Sequence, residues 1–230
     1  MHKDIAKIVK SIQSFSSMNC YDVFGDFVEL AALSTAKPFN NNQRWVSEQV
    51  RCIEQKYGVD GVKRLGYIFG MLILSMEKYI KQGKYVDILA QVFMNLEIHS
   101  KKAGQFFTPA NIASLAAEIA FDEQLVRETI ARKGYIILNE PAAGGGVMIL
   151  AFAEAMKSAG FDPSKQLLIH AVDVDMRCAC MNYIHLAYYG LPAVVCHGDA
   201  LSANAWRVWY TPTYVMDSWC LRDRRRWNVI

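Results

Sequence analysis

Charge is scarce in this 230-residue chain: Asp, Glu, Lys and Arg make up 20% of it, against 53% apolar residues. That balance excludes an intrinsically disordered chain, because it holds enough apolar surface to offset the entropy of ordering. The net charge of +3 is also small. It permits contact with nucleic acid without requiring it. Long apolar runs are missing too: the most apolar stretch, Leu65 to Met76, stops at Glu77 and Lys78, too short to span a bilayer. The N-terminus, Met1-His2-Lys3-Asp4, leads into an amphipathic pattern without the apolar core of a secretory signal. The six cysteines (20, 52, 178, 180, 196 and 220) form no Cys-x-x-Cys pair. Cys178-Ala179-Cys180 has the wrong spacing, and His185 and Cys196 lie far from it in sequence. These cysteines read as small buried hydrophobes, no metal is expected, and a cytoplasmic chain with reduced thiols follows. No repeat and no low-complexity segment is present. The length fits one large domain, or one domain with a helical extension.

What is there falls into two parts, 1–100 and 101–230. The first reads as wholly helical. Ile5, Ile8, Val9 and Ile12 have helical spacing, as do Val23, Phe24, Phe27, Leu30 and Ala31. Asn40-Asn41-Asn42 marks a polar turn. Trp45, Val46, Val50 and Ile53 start a third helix that ends at Tyr57-Gly58, and residues 62–81 and 86–98 supply two more. Their apolar stripes predict a helical bundle. At Lys101 the composition changes. Gly104-Gln105-Phe106-Phe107-Thr108-Pro109 reads as a loop entering a helix, with Thr108 at its N-cap and Pro109 in its first turn. Asp122 caps the next helix, which runs to Gly134.

From Tyr135 onward short apolar strands alternate with helices: strands over 135–139, 167–173 and 194–197, helices over 147–159 and 176–189, and a fourth strand within 206–216. Such alternation predicts βαβ units on a parallel sheet, which bind ligands at the carboxyl ends of their strands. The first strand runs into Glu140-Pro141-Ala142-Ala143-Gly144-Gly145-Gly146. Glycines there allow a tight turn and a close ligand approach, and the helix that follows offers free N–H groups to an anionic group. The pattern suits a nucleotide-like cofactor, although Gly144-x-Gly146 is followed three positions on by Ile149 and so is not the dinucleotide fingerprint. The second strand ends in Asp173, an acceptor suited to ribose hydroxyls, and the third in Gly198-Asp199-Ala200-Leu201, where a carboxylate can accept from an exocyclic amino group.

These motifs resemble those of DNA adenine-N6 methyltransferases, most closely the modification subunits of prokaryotic type I restriction–modification systems. The resemblance covers roughly residues 65–201 and includes Phe93-Met94-Asn95-Leu96 ahead of the Gly-Gln-Phe-Phe-Thr-Pro loop. It implies a helical N-terminal bundle followed by a Rossmann-like α/β methyltransferase sheet that binds S-adenosylmethionine. Phe106, Thr108 and Pro109 would lie against the methionine part. Glu140, Ala142, Gly144 and Gly146 would hold its amino and carboxylate groups, and Asp173 the ribose. Val174 would pack on the adenine, and Asp199 and Ala200 would read its edge. DNA is the implied substrate, and a specificity subunit or another restriction–modification protein the implied partner.

The family's catalytic tetrapeptide, (Asn/Asp/Ser)-Pro-Pro-(Tyr/Phe), does not occur. Its nearest counterpart is Thr211-Pro212-Thr213-Tyr214, which is either a degenerate catalytic loop with Thr211, Pro212 and Tyr214 in the family's places, or an ordinary proline turn. Only 16 residues follow Tyr214, too few for further strands and a target-recognition region, so the sheet is expected to be shortened. Asp223-Arg224-Arg225-Arg226-Trp227 is a charge run that is solvated or touches phosphate. Two functions remain open alongside each other: methyl transfer to adenine N6, and cofactor binding without transfer in a protein that acts by binding DNA or a partner. A methyltransferase of RNA or protein is a third.

Overall fold

The computed structural model describes residues 3–39, 43–96 and 107–223. The polar turn expected at 40–42, Phe106 with most of the loop before it, and the basic run 224–227 lie outside these residues. The helical part holds α1 (Lys3–Gln13), α2 (Cys20–Ala36), α3 (Gln43–Lys81) and α4 (Ile88–Asn95). In α1 the four predicted apolar residues are the buried ones. Asn19 caps α2 by accepting from the Tyr21 N–H at 2.8 Å. Helix α3 is two helices joined at Gly58, whose φ of 65° breaks the ladder where the Tyr57-Gly58 stop is expected.

Helix α5 spans Ala110–Ala120. Pro109, not Thr108, occupies the cap position, its carbonyl accepting from the Ile112 and Ala113 N–H groups at 3.0 Å, and no side chain caps this end. In α6 (Glu123–Lys133) Asp122 accepts from the Leu125 N–H at 2.9 Å, and Gly134 closes the helix in the left-handed region.

The sheet comprises β1 (Ile136–Glu140), β2 (Leu167–Asp173), β3 (Ala193–Asp199) and β4 (Asn204–Tyr210), in that spatial order. Helices α7 (Val147–Ser158), the short α8 (Pro163–Gln166) and α9 (Met176–Tyr188) make the two crossovers, and β1, β2 and β3 run parallel. Strand β4 departs from the all-parallel expectation: it runs antiparallel to β3. Residues 200–203 alone join the two, and a parallel return needs a crossover of a dozen residues or more. The predicted fourth strand is also cut short. Thr211 accepts from the Tyr214 N–H and Pro212 takes the first helical position, so α10 (Pro212–Met216) begins there.

Helix α9 packs on β2 and β3, α2 on α9, and α5 on α7. One hydrophobic cluster therefore runs from Ile5 of α1 through Phe24, Phe27, Ile149 and Ile169 to Trp209 of β4. The helical part and the sheet share a core, and the start of α4 meets Gly145 and His185. No helix among the described residues is long and apolar enough to cross a membrane.

Candidate functional site

The carboxyl ends of β1, β2 and β3 bring the glycine loop, Asp173 and the Asp199 turn to one end of the sheet. The loop is held from both sides. Asp173 reaches from β2 to accept from the Gly144 N–H at 2.7 Å, and its other oxygen accepts from the Asp175 N–H at 2.8 Å. The Ala143 N–H donates to the Val172 carbonyl at 2.9 Å, and the Ala142 N–H to Glu140 Oε1 at 3.2 Å. Burial pushes the Asp173 carboxyl above the ordinary carboxylate range, against the pull of its two N–H donors. Each carboxylate oxygen has two lone-pair sites, so both can still accept from a ligand hydroxyl.

Beyond Asp173, the Val174 side chain is 66% exposed. Asp175 caps α9 through the Arg177 N–H and pairs with the Arg177 guanidinium at 2.6 Å, which lies over the Tyr21 ring. At the end of β3, Asp199 accepts from the Ser202 hydroxyl at 2.8 Å and the Leu201 N–H at 2.9 Å; these two, the hydroxyl foremost, hold its carboxyl below the usual range. Gly198 sits where a Cβ would run into the Asn204 carbonyl, so this turn needs glycine. Phe107 packs on the Phe93 ring of α4, centroids 5.3 Å apart, and its own ring flanks Gly144. The Phe107-Thr108-Pro109 stretch therefore meets the glycine loop, with Thr108 and Pro109 exposed at the head of α5.

Thr211, Pro212 and Tyr214 are not part of this cluster. The Thr211 N–H donates to the Ala193 carbonyl at 3.0 Å, beside the first residue of β3, whereas the Asp199 turn is at the other end of that strand. The antiparallel course of β4 causes this. Its end lies about 16–20 Å down the strands from the Asp199 turn, and three strand spacings, about 14 Å, from β1. Thr211 is fully buried, and its hydroxyl accepts from the Ala193 N–H and donates to the Leu191 carbonyl, both at 2.9 Å. The Tyr214 hydroxyl donates to Asp223 at 3.1 Å. These residues build a corner, with a proline turn into α10, at the opposite end of β3 from the Asp199 turn.

Three side chains that the sequence motifs do not mark grip the loop from beneath. Asn182 of α9 donates to the Gly144 carbonyl at 2.6 Å, His185 Nδ1 lies 3.1 Å from the Gly145 carbonyl, and Asp87 lies where a Cβ on Gly145 would collide with it. All three are buried. The signal in the sequence is polar residues at 182 and 185, on one face of a helix that is otherwise apolar there. Among the described residues no three His, Cys, Asp or Glu side chains gather as a metal site.

Gly146 caps α7 with φ 94°, and a Cβ there would lie 2.7 Å from Asn182 Oδ1. Gly146→Val is therefore expected to destabilise the fold by about 1–3 kcal/mol through backbone strain alone, with the Asn182 clash in addition. A melting temperature equal to that of the parent would contradict this.

Residues 86–217 match the family model of the N-6 DNA methylases. No curated protein and no solved structure matches the chain.

Proposed function

The chain belongs to the N-6 DNA methylase family, and on that premise we propose that it binds S-adenosylmethionine across the carboxyl ends of β1, β2 and β3. The observation that carries this reading is the Asp173–Gly144 bond of 2.7 Å. It joins the acidic strand end and the glycine loop into one unit, so a ligand that touches one meets the other. The fit is chemical as well as spatial. The first turn of α7 offers its N–H groups to a carboxylate. Asp173 retains acceptor capacity for ribose hydroxyls. Val174 presents an apolar surface for a base, with Asp199 and Ala200 at the next strand end to read its edge. Phe107, with Thr108 and Pro109, walls the side of Gly144, and Phe106 precedes them. When bound, the cofactor supplies an electrophilic methyl group on a sulfonium.

The function that follows is an S-adenosylmethionine-binding protein of the adenine-N6 DNA methylase type, with DNA as the substrate class. The corner position of Thr211 favours cofactor binding without methyl transfer, in a protein that acts by binding DNA or a restriction–modification partner. Calorimetric titration with S-adenosylmethionine tests the first step. Saturable binding is expected; no heat and no thermal shift at millimolar cofactor would overturn it.

Asp173→Asn is expected to weaken that binding at least tenfold. It removes the charge that makes hydrogen bonds from ribose hydroxyls worth about 1.5–3 kcal/mol, and about 1.4 kcal/mol is a factor of ten. Unchanged affinity in the folded variant would show that this strand end is not the ribose site.

A further inference from the structure

Asn182, His185 and Tyr189 lie three and four residues apart along and just past α9, so they share one helix face. Each reaches a segment far away in sequence. Asn182 holds Gly144. His185 lies between the glycine loop and the start of α4, with Nδ1 3.1 Å from the Gly145 carbonyl and Nε2 3.3 Å from the Leu89 N–H. The Tyr189 hydroxyl donates to the Val86 carbonyl at 2.7 Å and accepts from the Val86 N–H at 3.0 Å, while its ring stacks on His185. Asp87 completes the arrangement. It caps α4 through the Ala90 N–H at 2.9 Å, and its Oδ1 is 3.7 Å from His185 Nε2.

The partners fix the proton on His185. A carbonyl only accepts, so Nδ1 carries the hydrogen; the Leu89 N–H only donates, so Nε2 carries the lone pair. His185 is therefore neutral, and its contact with Asp87 is not an ion pair. Burial agrees: it lowers the His185 pKa to about 4 and raises that of Asp87 to about 7.

We infer that His185 and Asp87 are positioning residues for the cofactor loop. They turn the Gly145 carbonyl inward, beneath the loop, and thereby set the loop against Asp173 and Phe107. The inference rests on the reading of the strand ends as an S-adenosylmethionine site, and it makes the start of α4 part of that site. The stretch that matches the family begins at residue 86, where Tyr189 takes hold of the chain.

Two substitutions at one position separate positioning from mere packing. In His185→Asn the amide nitrogen replaces Nδ1, which keeps the donor to Gly145 and loses the acceptor for Leu89. In His185→Gln the side-chain oxygen replaces Nε2, which keeps the acceptor and loses the donor. Each variant gives up one buried hydrogen bond, so the two should lose similar thermal stability. In calorimetric titration with S-adenosylmethionine, His185→Gln is expected to bind at least tenfold more weakly than the parent, and His185→Asn to restore affinity to within threefold. Affinities that fall together, in step with melting temperature, would overturn the inference. If His185→Gln does not fold, Gly145→Ala takes its place: its Cβ would lie 2.5 Å from Asp87 Oδ2, so it lifts the loop off the same support, and a tenfold loss is again expected. Unchanged binding there overturns the inference. Asp173→Asn separates the two levels. Loss of binding in Asp173→Asn with none in His185→Gln overturns the positioning role and leaves the cofactor site standing, whereas a parent chain that does not bind at all overturns both.

Discussion

Duplex DNA incubated with the purified chain and methyl-labelled S-adenosylmethionine is expected to remain unlabelled. Transfer requires the adenine nitrogen to be held in line with the methyl and the sulfur, about 3–3.5 Å from the carbon it attacks, and such orientation is worth about 7–11 kcal/mol of the barrier. The residues that do this in the family end in a Pro-Pro-aromatic sequence, and no two of the six prolines in this chain are adjacent. The nearest substitute, Thr211, lies across three strand spacings from β1, and its hydroxyl is already committed to Leu191 and Ala193. Among the described residues, Thr211, Pro212 and Tyr214 lie at the end of the sheet opposite the Asp199 turn. Extruding the base costs a few kcal/mol more, which bound contacts must offset. Thr211→Asn combined with Thr213→Pro is likewise expected to yield no activity, because restoring the tetrapeptide restores it at the wrong end of the sheet. Labelling of DNA above the level of a no-protein control, by the parent or by the double variant, would refute this account.

The parts of this molecule that could be read from sequence are those set by local physics. Leu167–Asp173 is bounded in the structure as its apolar run predicts, because a central parallel strand is buried on both faces and shows no alternation. The Asp122 cap and the Gly134 stop are equally local. Strand direction is a different matter. The sequence marks a strand within 206–216 but carries no direction, and only the four-residue link from Asp199 to β4 forces the antiparallel return that sends Thr211 away from the glycine loop. A proline followed by an aromatic two residues on resembles a catalytic loop in sequence; in the fold the same residues cap a short helix. Asp87, Asn182 and His185 were out of reach for the opposite reason. Their distant partners are 38 to 98 residues away, and no local pattern distinguishes a buried histidine that fills space from one that holds a carbonyl.

The Asp87–His185 pair is also expected to impose two opposing slopes on stability against pH, which single substitutions would separate. The Asp87 carboxyl, raised to about 7 by burial, keeps its proton in the folded protein over a range in which the unfolded chain, near 3.9, has released it. Its contribution to stability is full below pH 4 and is lost as pH rises to 7, at about 1.4 kcal/mol per unit. His185, lowered to about 4, refuses a proton that the unfolded chain takes up near 6.5. Its contribution is full above pH 6.5 and is lost as pH falls to 4. Tyr189 and Cys178, the other titratable groups near the pair, are pushed upward by burial and stay protonated throughout. From pH 4 to 6.5 the two slopes oppose each other and the parent shows little of either. Asp87→Asn keeps the cap on Ala90 and removes the carboxyl, so it leaves the histidine slope: relative to the parent, the variant gains stability as pH rises from 4 to 7. His185→Asn leaves the carboxyl slope, so relative to the parent it loses stability as pH rises from 4 to 6.5. Urea unfolding of the three proteins at intervals between pH 5 and 8 reads these differences directly, because every other titration is common to all three and cancels. Stability curves that run parallel would mean that neither group carries the shift its burial demands.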